Sequence, residues 1–251
     1  MPRLFAAISE RPIKARFVKH GLRLRTEALP DWLPDAYGVA WYSDGGWGLR
    51  RERLDAENEG LLAEVEGSAL VSHVRPVSMG PLMDENIMPF VDSGWAFAHH
   101  GFIDRGTLIE LLDPENKKVL RGSTDSEAYF RLVLQEISRR RDPVMGLTAA
   151  VYKIEDIGYF TSLNSVLSDG RRLYVLRYVK GNERKYGMFI AEVEGGVVQA
   201  SSRVSLVMIV ASFGGSGYVV STSPAGEAAE AVPNKAIIIV DEKMGEEIIP
   251  L

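Results

Sequence analysis

SHVRPVSMG, residues 72–80, closes a run of apolar and β-branched residues that begins at Ala69. The composition of residues 69–74 predicts a buried strand. Arg75 stands at the end of that strand. An arginine in this place either pairs with a carboxylate of the protein or faces a ligand, and both interpretations stay open at this point. His73, inside the strand, is interpreted as a histidine of the core.

The overall composition is that of a globular chain. Of its 251 residues, 46% are hydrophobic and 25% are charged, and the net charge is -5, so a nucleic-acid surface is not expected. The longest apolar run, residues 204–213, is about half as long as a membrane-spanning helix. No signal-peptide pattern follows the basic residue at position 3. We therefore expect one cytoplasmic domain, residues 1–251, without a membrane partner.

Cysteine is absent from the chain, and there are four histidines. The lack of thiols excludes disulfide bonds, thiolate metal ligands and a cysteine nucleophile in this sequence. The aspartates follow no metal-ligand pattern, and the glycines of residues 38–48 match no phosphate-binding spacing. We therefore expect neither a metal nor another cofactor.

Strand patterns with a few helices between them predict an α+β fold of two packed sheets flanked by helices. The clearest helix is Asp125–Arg140, whose apolar residues recur at helical spacing and whose start, Thr124–Glu127, fits a capping box. The spacing of the apolar residues in NEGLLAEVEG, residues 58–67, predicts another helix. Strands are predicted for residues 3–9, 37–43, 69–74, 95–99, 149–154, 159–167, 173–178, 187–194, 206–210, 218–221 and 236–240.

Four motifs follow the N-terminal MPRLFA in a fixed order. They are DAYGVAWY (35–42), SHVRPVSMG (72–80), ENIMPF with WAFAHHG (85–90 and 95–101) and GSTDSEAYF (122–130). With the hairpin LNSVLSDGRRLYVLRY (163–178), they resemble the class II glutamine amidotransferase domain of the N-terminal-nucleophile hydrolase fold. The resemblance extends from Arg3 to about Ser223. It implies a four-layer αββα sandwich of two mostly antiparallel sheets.

The resemblance also implies roles for individual residues. In that family an N-terminal cysteine attacks the side-chain amide of glutamine, with its own α-amine as the general base. Arg75 matches the residue that binds the α-carboxylate of the substrate, and Ser78 matches the small hydroxyl residue three positions on. Asp125 matches the residue that binds the α-ammonium. Gly101 keeps the position whose N–H serves the oxyanion hole.

Three positions depart from the family pattern at the same predicted site. Pro2 stands where the nucleophile belongs, His100 replaces the asparagine of the oxyanion hole, and Met88 replaces the histidine before Pro89. Loss of a nucleophile costs on the order of a million-fold in rate, and loss of one oxyanion donor costs roughly a hundred-fold or more. The changes at Met88 and His100 argue against an engineered removal of a single cysteine.

These observations leave two functions open. The first is a non-catalytic or divergent member that binds glutamine, glutamate or a similar amino acid through Arg75 and Asp125, or acts through a partner such as a synthase subunit. The second is a divergent amidohydrolase in which the amine of Pro2, exposed by removal of Met1, reacts. Asp125 also fits a structural role, because an acidic residue in the first turn stabilises a helix. His100 can donate one hydrogen bond where the family has an amide, but we interpret it as non-catalytic.

Overall fold

The computed structural model describes residues 3–19, 34–54, 60–76, 81, 83–200, 207–225 and 228–251. Within these ranges two antiparallel β-sheets pack face to face, and helices pack against the smaller one. Two residues of the predicted site, Pro2 and Ser78, lie outside the described residues.

The described residues form the following strands and helices. The strands are β1 Arg3–Lys19, β2 Pro34–Ser43, β3 Gly46–Arg53, β4 Gly60–Pro76, β5 Phe90–Asp92, β6 Trp95–His100, β7 Asn164–Ser168, β8 Arg172–Arg177, β9 Phe189–Ala200, β10 Val207–Ser221, β11 Glu230–Ala231, β12 Ala236–Asp241 and β13 Glu246–Pro250. The helices are α1 Arg105–Leu111, α2 Pro114–Lys118, α3 Asp125–Arg140 and α4 Pro143–Ile157. Short 3₁₀ helices occupy Asp84–Asn86 and Glu183–Tyr186.

The described strands form a seven-stranded sheet, in the order β11-β9-β10-β1-β4-β2-β3, and a six-stranded sheet, in the order β13-β12-β8-β7-β6-β5. The central strand β1 pairs with β4 in a register that opens with Arg3 opposite Val74. On its other side β1 pairs with β10, where Phe5 lies opposite Ser221. The start of β1 therefore lies beside the end of β4, where Arg75 follows Val74.

Three apolar clusters hold the layers together. Between the sheets, alternate residues of β1 such as Leu4 and Ala6 pack with Ala96 and Ala98 of β6. On the outer face of the smaller sheet, residues of β6, β7 and β8 pack with α1, α3 and α4. A third cluster, which includes Phe17, covers the other face of the larger sheet. Burial of these apolar side chains is the main force that keeps the sheets stacked. None of the helices in the described ranges has the length and apolar character that a membrane crossing requires.

The predicted α+β fold of two packed antiparallel sheets is confirmed, with the helices of the described ranges on the smaller sheet, and the bounds of α3 agree with the sequence pattern. Thr124 caps the helix, because its Oγ1 accepts the backbone N–H of Glu127 at 3.3 Å. The carboxylate of Glu127 does not complete a reciprocal capping box. It accepts the N–H groups of Arg121 and Gly122, each at 2.8 Å. Arg141 ends the helix in the left-handed conformation, with φ of 55°, which is a common way to stop a helix.

Two predicted elements are wrong. Residues 58–67 were predicted to be helical, but residues 60–67 belong to β4, where Ala63 and Val65 are buried while Glu64 and Glu66 are exposed. This alternation has a period of two, as expected for a strand. Residues 149–154 were predicted to be a strand, but they lie inside α4. Asp142 caps that helix by accepting the N–H of Met145 at 2.7 Å.

Candidate functional site

Arg75 lies at the end of β4 and is buried, with 3% of its surface exposed. Its Nη1 donates to the backbone carbonyl oxygen of Asn86 at 3.3 Å. Both terminal nitrogens also donate to the carbonyl oxygen of Pro81, each at 3.5 Å. The guanidinium therefore connects β4 to Pro81 and Asn86, through contacts that are long for charge-assisted hydrogen bonds.

Asn86 connects this segment to the start of α3. Its Nδ2 donates to the carbonyl oxygen of Pro81 at 3.0 Å and to Oγ of Ser123 at 3.1 Å. Its Oδ1 accepts the N–H of Ser123 at 2.8 Å. Gly122 is required beside it, because a Cβ there would lie 2.4 Å from Oδ1 of Asn86. Asn86 thus links Arg75 to the turn that precedes Asp125, a role that the sequence analysis did not assign to it.

Asp125 opens α3 and is largely buried, with 8% exposed. Its Oδ2 accepts the backbone N–H of Ile103 at 2.8 Å, and its Oδ1 accepts the N–H of Ser126 at 2.8 Å. The carboxylate therefore joins the helix start to the chain just after Gly101. The hydroxyl of Ser126 also lies 3.4 Å from Oδ1. A carboxylate offers about four acceptor positions, so these contacts leave capacity for a ligand donor.

His99 faces the helices and is held at both ring nitrogens. Its Nε2 lies 3.0 Å from the carbonyl oxygen of Ser162, and its Nδ1 lies 3.0 Å from Oγ of Ser126. A carbonyl only accepts, so Nε2 carries the proton and Nδ1 accepts from the serine hydroxyl. Burial lowers the pKa of His99, although the nearby Asp125 opposes that effect. His99 is therefore a neutral bridge between β6 and α3.

His100 and Gly101 lie at the end of β6. His100 is buried and its ring centroid lies 5.5 Å from that of Tyr186. At Gly101 there is no room for a side chain, because a Cβ would lie 1.9 Å from the carbonyl oxygen of Ser162. The backbone at residue 101 therefore packs closely against that of Ser162, just before β7. The role of the Gly101 N–H group in an oxyanion hole stays a prediction.

Met88 fills the place where the sequence pattern led us to expect a histidine. Its Sδ accepts the backbone N–H of His99 at 3.3 Å, and the residue is buried, with 8% exposed. The carbonyl of Met88 packs so closely on β2 that a Cβ at Gly38 would lie 2.3 Å from its oxygen. Met88 therefore fixes the segment before β5 against both sheets.

The structure brings four of the six predicted site residues into one region. Arg75 connects through Asn86 to the start of α3, Asp125 bonds the chain after Gly101, and His100 precedes Gly101. Pro2 and Ser78 lie outside the described residues. Among the residues that the structure describes, no group of three or more histidines or carboxylates is placed to hold a metal ion.

His73 lies in the same region and carries no charge in the folded chain. Only 2% of it is exposed, and neither ring nitrogen has a hydrogen-bond partner among the described residues. The pKa of His73 is lowered to about 3, chiefly by burial, with electrostatic interactions with its neighbours, among them His100 and the guanidinium of Arg75, acting in the same direction. The residue belongs to the core, as predicted, but without a polar partner in the described part.

We expect acid to destabilise the fold through His73. Its folded pKa lies below the unfolded value of about 6.5, so protons bind the unfolded chain preferentially as the pH falls below that value. Between about pH 7 and about pH 5 this difference removes about 2 kcal/mol of unfolding free energy. Urea unfolding across this range should show a smaller loss in His73→Gln than in the wild type. An equal pH slope in both proteins would contradict the prediction.

Two stacked antiparallel sheets, with β1 beside β4, are the arrangement that the N-terminal-nucleophile hydrolase fold requires. The sequence model for the family described as Glutamine amidotransferases class-II matches residues 1–183. The chain belongs to that family. The resemblance found in the motifs is thereby confirmed.

Known proteins resemble this chain in sequence and in structure. An uncharacterised protein of Methanocaldococcus jannaschii is 29% identical over 212 residues, which is 76% of this chain and 56% of that protein. A crystal structure described as a predicted glutamine amidotransferase of Pseudomonas aeruginosa superposes with a TM-score of 0.73 at 20% identity, covering 99% of both chains. The glutamine phosphoribosylpyrophosphate amidotransferase of Bacillus subtilis gives 0.55 at 13% identity, over 99% of this chain and 49% of that chain. At these identities the two structures support the fold alone. The chain spans about half the length of the curated relatives that it matches, between 37% and 61% of each.

Proposed function

We propose that this protein binds glutamine or a closely related amino acid and does not hydrolyse it. One observation carries the proposal. The residues that would hold the substrate, Arg75 and Asp125, are present and linked through Asn86 and Ser123, while the nucleophile position is Pro2 and the chain has no cysteine.

The chemistry of the two side chains fits an α-amino acid. The guanidinium of Arg75 is the group that best matches a carboxylate, since it can donate two parallel hydrogen bonds. Its contacts to Asn86 and Pro81 are 3.3–3.5 Å long, so a ligand carboxylate at the usual shorter distance would compete with them. Asp125 is acidic, buried and retains acceptor capacity, which suits an ammonium group.

The chain lacks two chemical groups that the family uses to hydrolyse glutamine. No thiol is present, and the asparagine that would donate to the oxyanion is replaced by His100, whose ring packs near Tyr186. A mechanism with a covalent intermediate needs both an activated nucleophile and preorganised donors. Binding without turnover is the activity that the remaining residues support.

Calorimetry tests the proposal with glutamine and glutamate as ligands. We expect the wild type to bind at least one of them and Arg75→Lys to bind it about 10-fold to 100-fold more weakly, because lysine cannot make the bidentate contact. Arg16→Lys is the matched control, since Arg16 is exposed and pairs only loosely with Glu64, at 3.7 Å. No binding to the wild type, or equal binding to Arg75→Lys, would contradict the proposal.

A second function rests on Pro2 itself. If Met1 is removed, the secondary amine of Pro2 becomes the chain terminus, and an amine can act as a base or as a nucleophile. An intact-mass measurement on the assayed sample decides whether that amine exists, and a glutaminase assay shows whether it acts. The single domain over residues 1–251, the cytoplasmic location and the partner synthase subunit stay predictions.

A further inference from the structure

The outer face of α4 is the stripe formed by Met145, Thr148, Ala149, Tyr152 and Asp156. These positions fall within about 100° of arc, since each residue turns an α-helix by about 100°. The opposite side of the helix belongs to the core cluster that it shares with α3, through Leu147, Ala150, Val151 and Ile154. The outer face therefore points away from the rest of the protein.

Two large apolar side chains are exposed on the outer face. Met145 is 59% exposed and Tyr152 is 46% exposed. An amphipathic helix normally presents polar residues on the side that faces water. Single exposed apolar residues need no explanation. Here two of them stand two turns apart with the small residues Thr148 and Ala149 between them, which gives a continuous surface that a second helix can approach closely.

A charge of each sign lies at the two ends of this face. Arg141 precedes the N-cap residue of α4, and Asp156 lies in the last turn of the helix. Both side chains are exposed, and neither forms an ion pair with another residue in the described part of the chain. The neighbouring Arg140, by contrast, pairs with Glu136. Arg141 and Asp156 are thus available to a partner molecule.

The order of residues along the outer face is complementary to itself. We consider an antiparallel second copy of α4 whose centre of symmetry lies between Thr148 and Ala149. Met145 of one copy then lies opposite Tyr152 of the other, because both are equally distant from that centre in the sequence. Arg141 and Asp156 are also equally distant from it, so opposite charges meet at both ends. A twofold interface must match itself in this reciprocal way.

We propose that the protein forms a twofold-symmetric homodimer in which the outer faces of two α4 helices pack antiparallel. The contact between Met145 and Tyr152 removes apolar surface from water and contributes most of the affinity. The pairs between Arg141 and Asp156 contribute less, because exposed ion pairs are weak, but they fix the register and the direction of the two helices. This assembly goes beyond the proposed amino-acid binding and does not depend on it.

The size of the outer face determines how strong the dimer is. With 15 residues, α4 is about 22 Å long. One helix face of this length is smaller than a standard protein–protein interface, so we expect a weak dimer with a dissociation constant of about 10–500 μM. Added salt should weaken it further, because the two terminal charge pairs are exposed to solvent.

Sedimentation equilibrium of the full chain over about 5–1,000 μM tests the proposal in the expected affinity range. Tyr152→Glu should weaken the dimer at least about 10-fold, because it puts a charge into the apolar part of the contact. Val119→Glu is the matched control, since Val119 is also an exposed apolar residue, 44% exposed at the end of α2, and should change nothing. Urea unfolding shows that both variants are folded.

Charge reversal tests the register of the two helices. Arg141→Asp should weaken the dimer about 10-fold, because it turns two attractive pairs into repulsive ones. Asp156→Arg should have the same effect. The variant with both reversals should recover most of the wild-type affinity, since each pair is then restored with its charges exchanged. Recovery is expected only if Arg141 of one copy meets Asp156 of the other.

A cross-link tests the position of the symmetry axis, and it is clean because the chain has no cysteine of its own. Ala149→Cys should give a disulfide-linked dimer when oxidised glutathione takes up the two electrons. Ser138→Cys, at an exposed position of α3 far from the axis, should not.

Three outcomes would overturn the proposal. The first is a monomer at every concentration, which would leave the outer face to a different protein. The second is a dimer that Tyr152→Glu leaves as strong as Val119→Glu does. The third is a double charge reversal that does not recover the affinity lost in the single ones.

Discussion

A chain that carries both Pro2→Cys and His100→Asn is expected to hydrolyse glutamine, whereas the wild type is expected to show no activity above background. The reason is that the two substitutions restore the chemical groups that the family mechanism uses, namely an N-terminal thiol with its own amine and a side-chain donor for the oxyanion. The proposed substrate-holding residues, Arg75 and Asp125, are already present. The chemical groups would then be added to the proposed amino-acid site.

The two single substitutions are expected to give different glutaminase rates, both below that of the double variant. Loss of a nucleophile costs on the order of a million-fold, so His100→Asn alone should stay at background. Loss of one oxyanion donor costs roughly 100-fold to 1,000-fold, so Pro2→Cys alone should be about 100-fold slower than the double variant. Nucleophile and donor act as a unit, and their effects need not multiply.

Ammonia release, measured together with intact mass, checks this expectation. The mass must show that Met1 has been removed, since the nucleophile acts only with a free amine. The double variant Pro2→Ala with His100→Asn is the matched control, because it has the restored donor without a thiol. If the folded variant with Pro2→Cys and His100→Asn has lost Met1, binds glutamine and yields no ammonia, then the retained residues no longer place the amide for attack.

Gly101→Ala is expected to lower the free energy of unfolding by about 3 kcal/mol, the upper part of the usual range for overpacking. The added Cβ would meet the carbonyl oxygen of Ser162 at 1.9 Å and Nε2 of His99 at 2.9 Å. Since the first of these contacts is with backbone, relief requires β6 to separate from residue 162. That movement would also break the hydrogen bond between His99 and Ser162.

Urea unfolding of both proteins at neutral pH measures the effect. Gly46→Ala is the matched control, because a Cβ at Gly46 meets no atom within 4 Å and its backbone is not in the left-handed region. We expect that control to change stability by less than about 1 kcal/mol. If Gly101→Ala proves as stable as Gly46→Ala, the close packing described at the end of β6 is incorrect.

The sequence predicted α3 because several local signals agree there. The cap at Thr124, the helical spacing of the apolar residues and the terminal arginines all indicate the same segment. In α4 the signals conflict. The apolar composition of residues 149–154 suits a strand, whereas the cap at Asp142 and the burial of Leu147, Ala150, Val151 and Ile154 on one face belong to a helix.

The site residues that stand in sequence motifs could be predicted. Those whose role depends on contacts made only in the folded chain could not. Arg75 and Asp125 were found because each stands in a recognisable motif. Asn86 was not assigned a role, although its motif was noticed. Its importance arises from the loop that brings it between Arg75 and Ser123, which no local pattern encodes. The outer face of α4 was likewise not predicted, because residues 149–154 were predicted to form a strand.

The position of β1 at the centre of the larger sheet also determines when that sheet can be completed during synthesis. One neighbour, β4, follows within the first 76 residues, but the other, β10, begins only at Val207. At about 5–20 residues per second, a ribosome needs about 10–40 seconds to make the chain between the end of β1, at Lys19, and the start of β10, at Val207. Throughout that time one edge of β1 has no native partner. The nascent chain therefore carries an open strand edge of the kind that chaperones protect.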